Sequence, residues 1–375
     1  MALGTQVSVN VASAHARRLL CAAEVFALVA WSLPVFAASL RTDAAITAMA
    51  RLFDDHALVM FGERHRNGQQ HAFLRTLLRD ARFACRLDDV VVEFGNSRLQ
   101  ARADAYAAGE AISEEEFRGL WRDTDVLLAW NSPVYRQFYE TVREVNARKL
   151  CPHPLRIVLA DPPIDWEKVR SAEDFARYGD RDGFFLETVE REVLARHHHA
   201  LMVAGELHAL KQYPAAANGD LADESVASML ERRHPGALFS IVPVPTRASA
   251  QRLRIGMAPA FIPLAGSRLA HEPFDPVAPG WSAKLVLVGG RHVWKQEAAD
   301  RWPPMADVVD GLLYLGGDET ALYPPPSIYL EPAYQAELRW RARIIKAWNG
   351  QDFMPVIDDL VKDAGQGAPA TAPSH

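Results

Sequence analysis

Continuous apolar runs recur along the chain at intervals that leave room for helices between them. Runs of five or six largely apolar residues that stop at glycine or proline are typical of strands buried on both faces of a sheet. The clearest are Ala57–Phe61, Val90–Phe94, Leu155–Ala160 and Ala200–Ala204. Further candidates are Ala237–Val242, Lys284–Val288 and Gly311–Leu315. The pattern therefore predicts a sheet whose strands are buried.

Apolar side chains at helical spacing fill the stretches between these runs. Phe73, Leu74, Leu77 and Leu78 lie on one helical stripe. Helices are also predicted for Asn131–Ala147, Gly183–Arg196 and Ala333–Trp348. Strands separated by helices of this length pair in parallel, with the helices packed on the sheet. The sequence thus predicts an α/β fold, a mostly parallel sheet with helices on both faces.

The predicted elements are spread over one continuous stretch without internal repeats or a long linker. We interpret residues 39–362 as a single α/β domain. Within it, residues 243–283 are rich in proline and other breakers, which predicts an insertion or a cap rather than a separate domain. Residues 363–375 consist largely of glycine, alanine, proline and serine, so we expect a disordered tail.

The overall composition excludes several classes of protein. Hydrophobic residues make up 49% and charged residues 23%, which is the balance of a globular protein and disfavours disorder and coiled coils. The 41 basic and 47 acidic residues give a net charge of -6, without the basic surface that nucleic acid requires. Three cysteines are too few for a disulfide scaffold.

The beginning of the chain has the character of an export signal. Arg17 and Arg18 precede an apolar run, Val25–Ala37, that ends in small residues. The run is short and broken by Pro34, so it makes no stable membrane anchor. We predict that residues 1–38 are a signal peptide and that the protein is periplasmic or secreted. The alternative is an apolar helix that packs on the domain.

Export would leave two cysteines in the mature protein. Cys85 and Cys151 each precede a predicted strand by a few residues, so neighbouring strands would place both at the same edge of the sheet. We hypothesise a disulfide between them, which an oxidising compartment allows. The alternative is a pair of inert buried thiols.

Acidic and imidazole side chains follow the predicted strands at the point where each strand ends. The first four strands each deliver a carboxylate there, and two of them add a histidine two residues further on. The residues in question are Glu63, His65, Glu93, Asp161, Glu206 and His208. Because the carboxyl ends of parallel strands line one crevice, these side chains are predicted to form a single site. Clustered carboxylates need cations, metals or shared protons.

Glu93 is the most informative of these residues, because it interrupts a run otherwise suited to burial. An unpaired carboxylate is costly in such a place. A purely structural explanation is an ion pair with Arg64, Arg66 or Arg98.

Three short motifs resemble one superfamily. Phe61-Gly-Glu-Arg-His65, Val92-Glu93 and Ala204-Gly-Glu-Leu-His208 are similar to motifs of the superfamily that groups erythromycin esterases, ChaN-like haem-binding lipoproteins and Tiki-type proteases. The resemblance covers about residues 50–215. It implies an α/β core whose site is built from His65, Glu93 and His208, with Glu63 and Glu206 beside them.

The preferred function is hydrolysis of an ester, lactone or amide in a small-molecule or peptide substrate by activated water. His65 would take the proton, oriented by a carboxylate such as Glu93, and His208 would assist the leaving group. Arg64 or Arg66 would stabilise the developing oxyanion. Asp161 and the strand-end His292 are candidate substrate-binding residues.

Two alternatives stay open at this point. In a metal-dependent version, His65, His208 and Glu93 become ligands of Zn or Mn. A non-enzymatic protein of the cell envelope would instead bind haem or another ligand, with haem held through an axial imidazole. The chain lacks the lipoprotein cysteine motif of the haem-binding members. The substrate and the oligomeric state stay undetermined.

Overall fold

The computed structural model describes most of the predicted domain. The described residues are 39–212, 224–275, 277, 282–288, 291–297, 302–317 and 320–366. The predicted signal peptide, residues 1–38, lies outside them, as does most of the predicted tail. Among the helices of the described residues, none is long and apolar enough to cross a membrane.

Nine strands form a large sheet and a separate hairpin within the described residues. Their bounds are β1 (Leu58–Glu63), β2 (Asp89–Asn96), β3 (Arg156–Asp161), β4 (Ala200–Gly205), β5 (Leu238–Pro243), β6 (Ala260–Pro263), β7 (Ser282–Val288), β8 (Arg291–Glu297) and β9 (Gly311–Tyr314). The large sheet has the order β3-β2-β4-β1-β5-β9-β6. Its strands pair in parallel except for β6, which is antiparallel to β9. The predicted α/β class is confirmed.

Helices connect the strands and cover the sheet. The first, α1, spans residues 39–50. The others are α2 (Gly68–Arg79), α3 (Ala81–Ala84), α4 (Gln100–Ala107), α5 (Glu114–Arg122), α6 (Pro133–Arg148), α7 (Ala172–Ala176), α8 (Arg181–Glu192), α9 (Val226–Arg233), α10 (Arg247–Arg252), α11 (Met305–Val308), α12 (Pro332–Asn349) and α13 (Met354–Gly365). Helix α13 extends into the predicted tail as far as Gly365.

The central strands are buried on both faces, as their continuous apolar sequences predict. Val59 and Phe61 of β1 pack into the core on the side of α2 and α6. Leu58 and Met60 point the other way, into the core on the side of α8 and α9. This alternation follows from the two-residue period of a strand. A third apolar cluster lies under α12 and α13.

Two predictions for the second half of the chain need correction. The strand predicted at Lys284–Val288 is β7, which pairs with β8 in an antiparallel hairpin outside the large sheet. The Gly289-Gly290 pair between the two runs is a hairpin signal that outweighs parallel pairing. His292 therefore lies within β8 and does not follow a strand end. Residues 260–263, in the predicted insertion, form the edge strand β6 of the sheet.

The hypothesised disulfide is present in the structure. Cys85 directly follows α3, and Cys151 lies three residues beyond the end of α6, so each precedes a strand of the neighbouring pair β2 and β3. Their Cα atoms are 5.0 Å apart, and the sulfur atoms are bonded. The bridge closes a loop that contains α4, α5 and α6.

Alkylation of cysteines in denaturant tests this bridge. Because Cys85 and Cys151 are joined, we expect two fewer modified thiols without reductant than with it, whether or not Cys21 is still part of the chain. Intact-mass measurement after alkylation gives the count. Equal numbers of modified thiols with and without reductant would show that no bridge forms.

Candidate functional site

The four strands that carry the predicted chemistry are consecutive in the sheet. Their order is β3-β2-β4-β1, and their carboxyl ends point the same way. Glu63 at the end of β1 is in register with Gly205 at the end of β4. Asp161, Glu93, Glu206 and Glu63 therefore come together along one edge of the sheet, although they are distant in sequence.

An irregularity in β2 determines how Glu93 is presented. Val92 pairs with Leu159 of β3, but the next pair is Asn96 with Asp161, so β2 has extra residues at its end. Bulges of this kind re-aim side chains next to functional sites. A Cβ on Gly95 would lie 2.5 Å from Cδ2 of Leu159, so the close approach requires glycine there.

Glu63 and His65 form the first half of the site. Nδ1 of His65 lies 2.9 Å from Oε1 of Glu63, whose side chain is fully buried. Burial raises the pKa of Glu63, but His71 and His65 outweigh it and lower the pKa to about 2. The ionised carboxylate thus accepts a hydrogen bond from Nδ1–H of His65. This tautomer leaves a lone pair on Nε2.

Nε2 of His65 makes no hydrogen bond within the described part of the chain, and 43% of the side chain is exposed. Burial lowers the pKa of His65, but the hydrogen bond that His65 donates to Glu63 and the charge of Glu93 outweigh it and raise the pKa above 6.5. Trp130 stands edge-on to the imidazole at 4.7 Å between ring centroids. His65 is therefore held in place while one nitrogen stays accessible.

Gly205 leaves room for this imidazole. A Cβ on Gly205 would lie 2.8 Å from Cε1 of His65 and 3.4 Å from Oε2 of Glu93. The backbone N–H of Gly205 also donates to Oε2 of Glu93. The glycine at the end of β4 thus allows His65 and Glu93 to meet.

Glu93, His208 and Arg181 form the second half of the site. Oε1 of Glu93 lies 3.3 Å from Nε2 of His208 and 3.0 Å from a terminal nitrogen of Arg181. Burial raises the pKa of Glu93, but His208 and Arg181 outweigh it and hold the pKa well below 4.5.

The predicted partner of His65 was a carboxylate such as Glu93. The structure instead joins His65 to Glu63, and Glu93 to His208.

His208 lies between two carboxylates. Its Nδ1 is 2.8 Å from Oδ1 of Asp182, an oxygen that also accepts from the backbone N–H of Val226. Burial lowers the pKa of His208, but Asp182 and Glu93 outweigh it and raise the pKa to about 10. At neutral pH His208 is therefore an imidazolium with both ring nitrogens engaged.

Arg181 also contacts two further buried carboxylates. Its Nε is 3.0 Å from Oδ1 of Asp161 and 3.4 Å from Oδ1 of Asp125. Burial raises the pKa of Asp161 well above 3.8, against the attraction of Arg181, and burial also raises the pKa of Asp125. Like charges this close cannot all ionise. Asp161, whose pKa is raised well above its usual value, is therefore the carboxyl of this cluster that we expect to hold a proton.

Arg64 and Arg66, which follow β1, were predicted as possible ion-pair partners of Glu93, but they contact other groups. Nε of Arg64 lies 3.0 Å from Oε2 of Glu206, and burial raises the pKa of that glutamate. Arg66 donates from Nε to the carbonyl of Ala129 at 3.3 Å and from a terminal nitrogen to Leu128 at 3.1 Å. Arg66 thus ties the chain after His65 to a neighbouring loop.

Several residues of the site were missed by sequence reasoning. They are His71, Asp125, Tyr135, Arg181 and Asp182. The predicted helix began at Gly183, two residues after the true start of α8, so Arg181 and Asp182 were left in a loop. Asp180 caps this helix by accepting from the backbone N–H of Gly183, which is a readable start signal. Asp125 lies outside the helices and strands and has no such signal.

The predicted metal ligands already have partners in the protein, since His65 is paired with Glu63 through Nδ1 and His208 with Glu93. His208 and Glu93 are partners, and Arg181 supplies positive charge next to Glu93, where a cation would lie. Within the described residues, no three His, Cys, Asp or Glu side chains are arranged to hold a metal ion. His208 also presents no free ring nitrogen to a haem iron. The surroundings of Glu93 therefore do not fit a metal ion, and His208 does not fit as an axial ligand of haem.

Fold and site together define an α/β protein with a histidine–carboxylate pair and a cationic second histidine at the carboxyl ends of its strands. No model of a known protein family matches the chain, and no curated protein matches it.

Solved structures similar to the chain include a protein from Bacillus cereus, with 10% identity, a TM-score of 0.48 and coverage of 74% of this chain and 92% of that one. A succinoglycan biosynthesis protein has 8% identity, a TM-score of 0.49 and coverage of 74% and 91%. A mutant erythromycin esterase in its open conformation has 11% identity, a TM-score of 0.43 and coverage of 73% and 93%. It belongs to the superfamily that the motifs resemble. At these values the likeness concerns fold alone and transfers no activity to this chain.

Substitutions in the cluster around Arg181 test whether Asp161 is protonated. Arg181→Met leaves buried carboxylates without their cation, so we expect the free energy of unfolding to fall by about 3–5 kcal/mol. Asp161→Asn preserves a neutral donor where the proton already resides, so we expect a loss below about 1 kcal/mol. Urea unfolding at pH 7 measures both. Equal losses in the two variants would contradict a protonated Asp161.

Proposed function

We propose that the protein is a hydrolase that cleaves an ester, lactone or amide with a water molecule activated by His65. The observation that carries this proposal is the Glu63–His65 pair, in which a buried carboxylate binds Nδ1 and Nε2 stays accessible at the crevice. A general base needs this combination of a defined tautomer and an accessible lone pair.

In the proposed reaction, Nε2 of His65 takes a proton from water as the water attacks the carbonyl carbon. His65 becomes an imidazolium, and the charge of Glu63 stabilises it through Nδ1–H. The proton is then available for the leaving group. The aromatic edge contact with Trp130 limits rotation of the ring during these steps.

The second half of the site supplies positive charge. Both ring nitrogens of His208 are engaged, so we assign it to stabilising negative charge in the crevice and to holding Glu93. For direct contact with the oxyanion we propose Arg64, whose side chain is 23% exposed and lies at the end of β1. Arg66 is less suitable, because backbone carbonyls occupy its guanidinium.

Location and substrate are part of the same proposal. The Cys85–Cys151 bridge supports an oxidising compartment, in agreement with the predicted export to the periplasm or beyond. We propose a small-molecule or peptide substrate. Asp161 and His292 stay predicted substrate-binding residues. Asp161 is fully buried and contacts Arg181, so it would act on a substrate through Arg181.

Hydrolysis of a panel of esters, lactones and amides by the wild type and by His65→Asn tests this function. We expect kcat to fall by about 10²–10⁴-fold in His65→Asn, the usual contribution of a general base. His234→Asn is the matched control, because His234 pairs with Glu190 at 2.9 Å near the opposite edge of the sheet. We expect it to retain full activity.

Two results would contradict the proposal. One is a wild-type protein that hydrolyses none of the panel, with or without added divalent metal. The other is a His65→Asn variant as active as His234→Asn.

The pH dependence of kcat follows from the two histidines. His65 acts in its neutral form, so the rate rises with pH through its raised pKa, above 6.5. His208 acts as a cation, so the rate falls as pH passes about 10. In Glu63→Gln the charge that raises the pKa of His65 is lost, so the ascending limb moves to lower pH. Stopped-time assays across pH 5–11 on the best substrate measure both limbs; an ascending limb that does not move in Glu63→Gln would contradict the pairing.

A further inference from the structure

Glu63 is bound by more groups than the proposed reaction uses. Oε1 accepts from the hydroxyl of Tyr135 at 2.8 Å as well as from His65. Oε2 contacts Nε2 of His71 on helix α2. The carboxylate is therefore held from three sides, by residues of α2, of α6 and of the turn after β1.

The imidazole of His71 lies in an aromatic cage. Tyr135 stands edge-on at 5.2 Å, and the rings of Phe94 and Phe138 both lie 6.0 Å away. His71 is fully buried, and its Nδ1 has no hydrogen bond partner among the described residues. An unpaired buried nitrogen lowers the stability of the fold, so it needs a compensating interaction. The polar contact of the ring within the same residues is the carboxylate of Glu63, at Nε2.

Tyr135 joins Glu63 to the turn that carries His65. Its hydroxyl donates to Glu63 and accepts from the backbone N–H of Arg66 at 3.0 Å. Arg66 has φ of 69°, in the left-handed region that non-glycine residues rarely adopt. A conformation of this kind persists only where the surroundings over-determine it. Tyr135 thus fixes both the carboxylate and the backbone directly after His65.

We infer that His71 and Tyr135 are positioning residues, which hold Glu63 so that Oε1 meets Nδ1 of His65 and Nε2 remains free. This inference rests on the hydrolytic function proposed above. Neither residue reaches the substrate, since both are fully buried. They act through Glu63 by fixing its rotamer and satisfying its remaining lone pairs.

The need for such residues follows from the burial of Glu63. Without donors at Oε2, an ionised carboxylate would face the apolar cage, so it would take up a proton or rotate. Either change would remove the charge that orients His65. A displacement of about 1 Å at a catalytic group can cost about 10²-fold in rate.

His71→Phe tests the inference, because it fills the cage but removes the donor to Glu63. We expect kcat at its pH plateau to fall by about 10–100-fold, with KM unchanged and the ascending limb of the pH profile at lower pH. His71→Gln is the conservative control. Its amide nitrogen can replace Nε2, so we expect activity within about threefold of wild type.

A double-mutant cycle separates positioning from a structural role. If His71 acts through Glu63, His71→Phe causes no further loss in a Glu63→Gln background, since the shared interaction is already gone. Equal losses in both backgrounds would overturn the inference, as would full activity of His71→Phe. If His71→Phe fails to fold, Tyr135→Phe takes its place with the same expectations, because it removes one hydroxyl at nearly unchanged volume.

An NMR titration decides the inference without turnover. In protein with ¹³C-labelled histidine, we expect the His65 titration midpoint above 6.5 in the wild type and at lower pH in His71→Phe. An unchanged midpoint would overturn the inference whether or not any substrate is found. If the wild type hydrolyses no substrate but the His65 midpoint still moves in His71→Phe, the proposed function is contradicted and the positioning role of His71 is not.

Discussion

The structure depends on one electrostatic constraint: carboxylates buried at the ends of adjacent parallel strands must each receive donors or positive charge from the protein. Glu63 and Glu93 are almost fully inaccessible to solvent, and Asp161 and Asp125 are buried beside Arg181, which also contacts Glu93. An isolated ionised carboxylate would not remain charged in such surroundings. The imidazoles, Arg181 and Tyr135 around these groups supply those donors and charges, and the hydrolytic activity that we propose uses the same arrangement.

The constraint is met differently on the two sides of the site. Around Glu63, the hydroxyl of Tyr135 and the imidazoles of His71 and His65 keep the carboxylate ionised, and His65 is the exposed member of this group. Around Glu93, Arg181 and His208 keep the carboxylate ionised, and the raised pKa of the neighbouring Asp161 limits the negative charge there. One histidine is thereby suited to accept a proton, and the other to carry a permanent charge. Gly205 has no side chain, so it leaves room for His65 on one side of the site and for Glu93 on the other.

The fold and the main members of the site were accessible from the sequence, but their pairing was not. The apolar runs Ala57–Phe61 and Ala200–Ala204 predicted β1 and β4 within two residues. Parallel topology then implied that Glu63, His65, Glu93 and His208 share one edge. The start of α8 was missed by two residues, and with it Arg181 and Asp182. The hairpin of β7 and β8 was mistaken for part of the sheet, which put His292 at a strand end.

By itself, the sequence determined which strands exist and which chemical groups follow them, because burial on both faces leaves a local pattern of apolar residues and glycine stops. Only the tertiary structure decided that His65 pairs with Glu63 and His208 with Glu93, Asp182 and Arg181. These pairs depend on strand order, on the irregular end of β2 and on how far α8 extends toward the crevice. A hydrogen bond requires a distance of about 3 Å between donor and acceptor. An error of one residue in the predicted position of a strand or helix end therefore changes which side chains can pair.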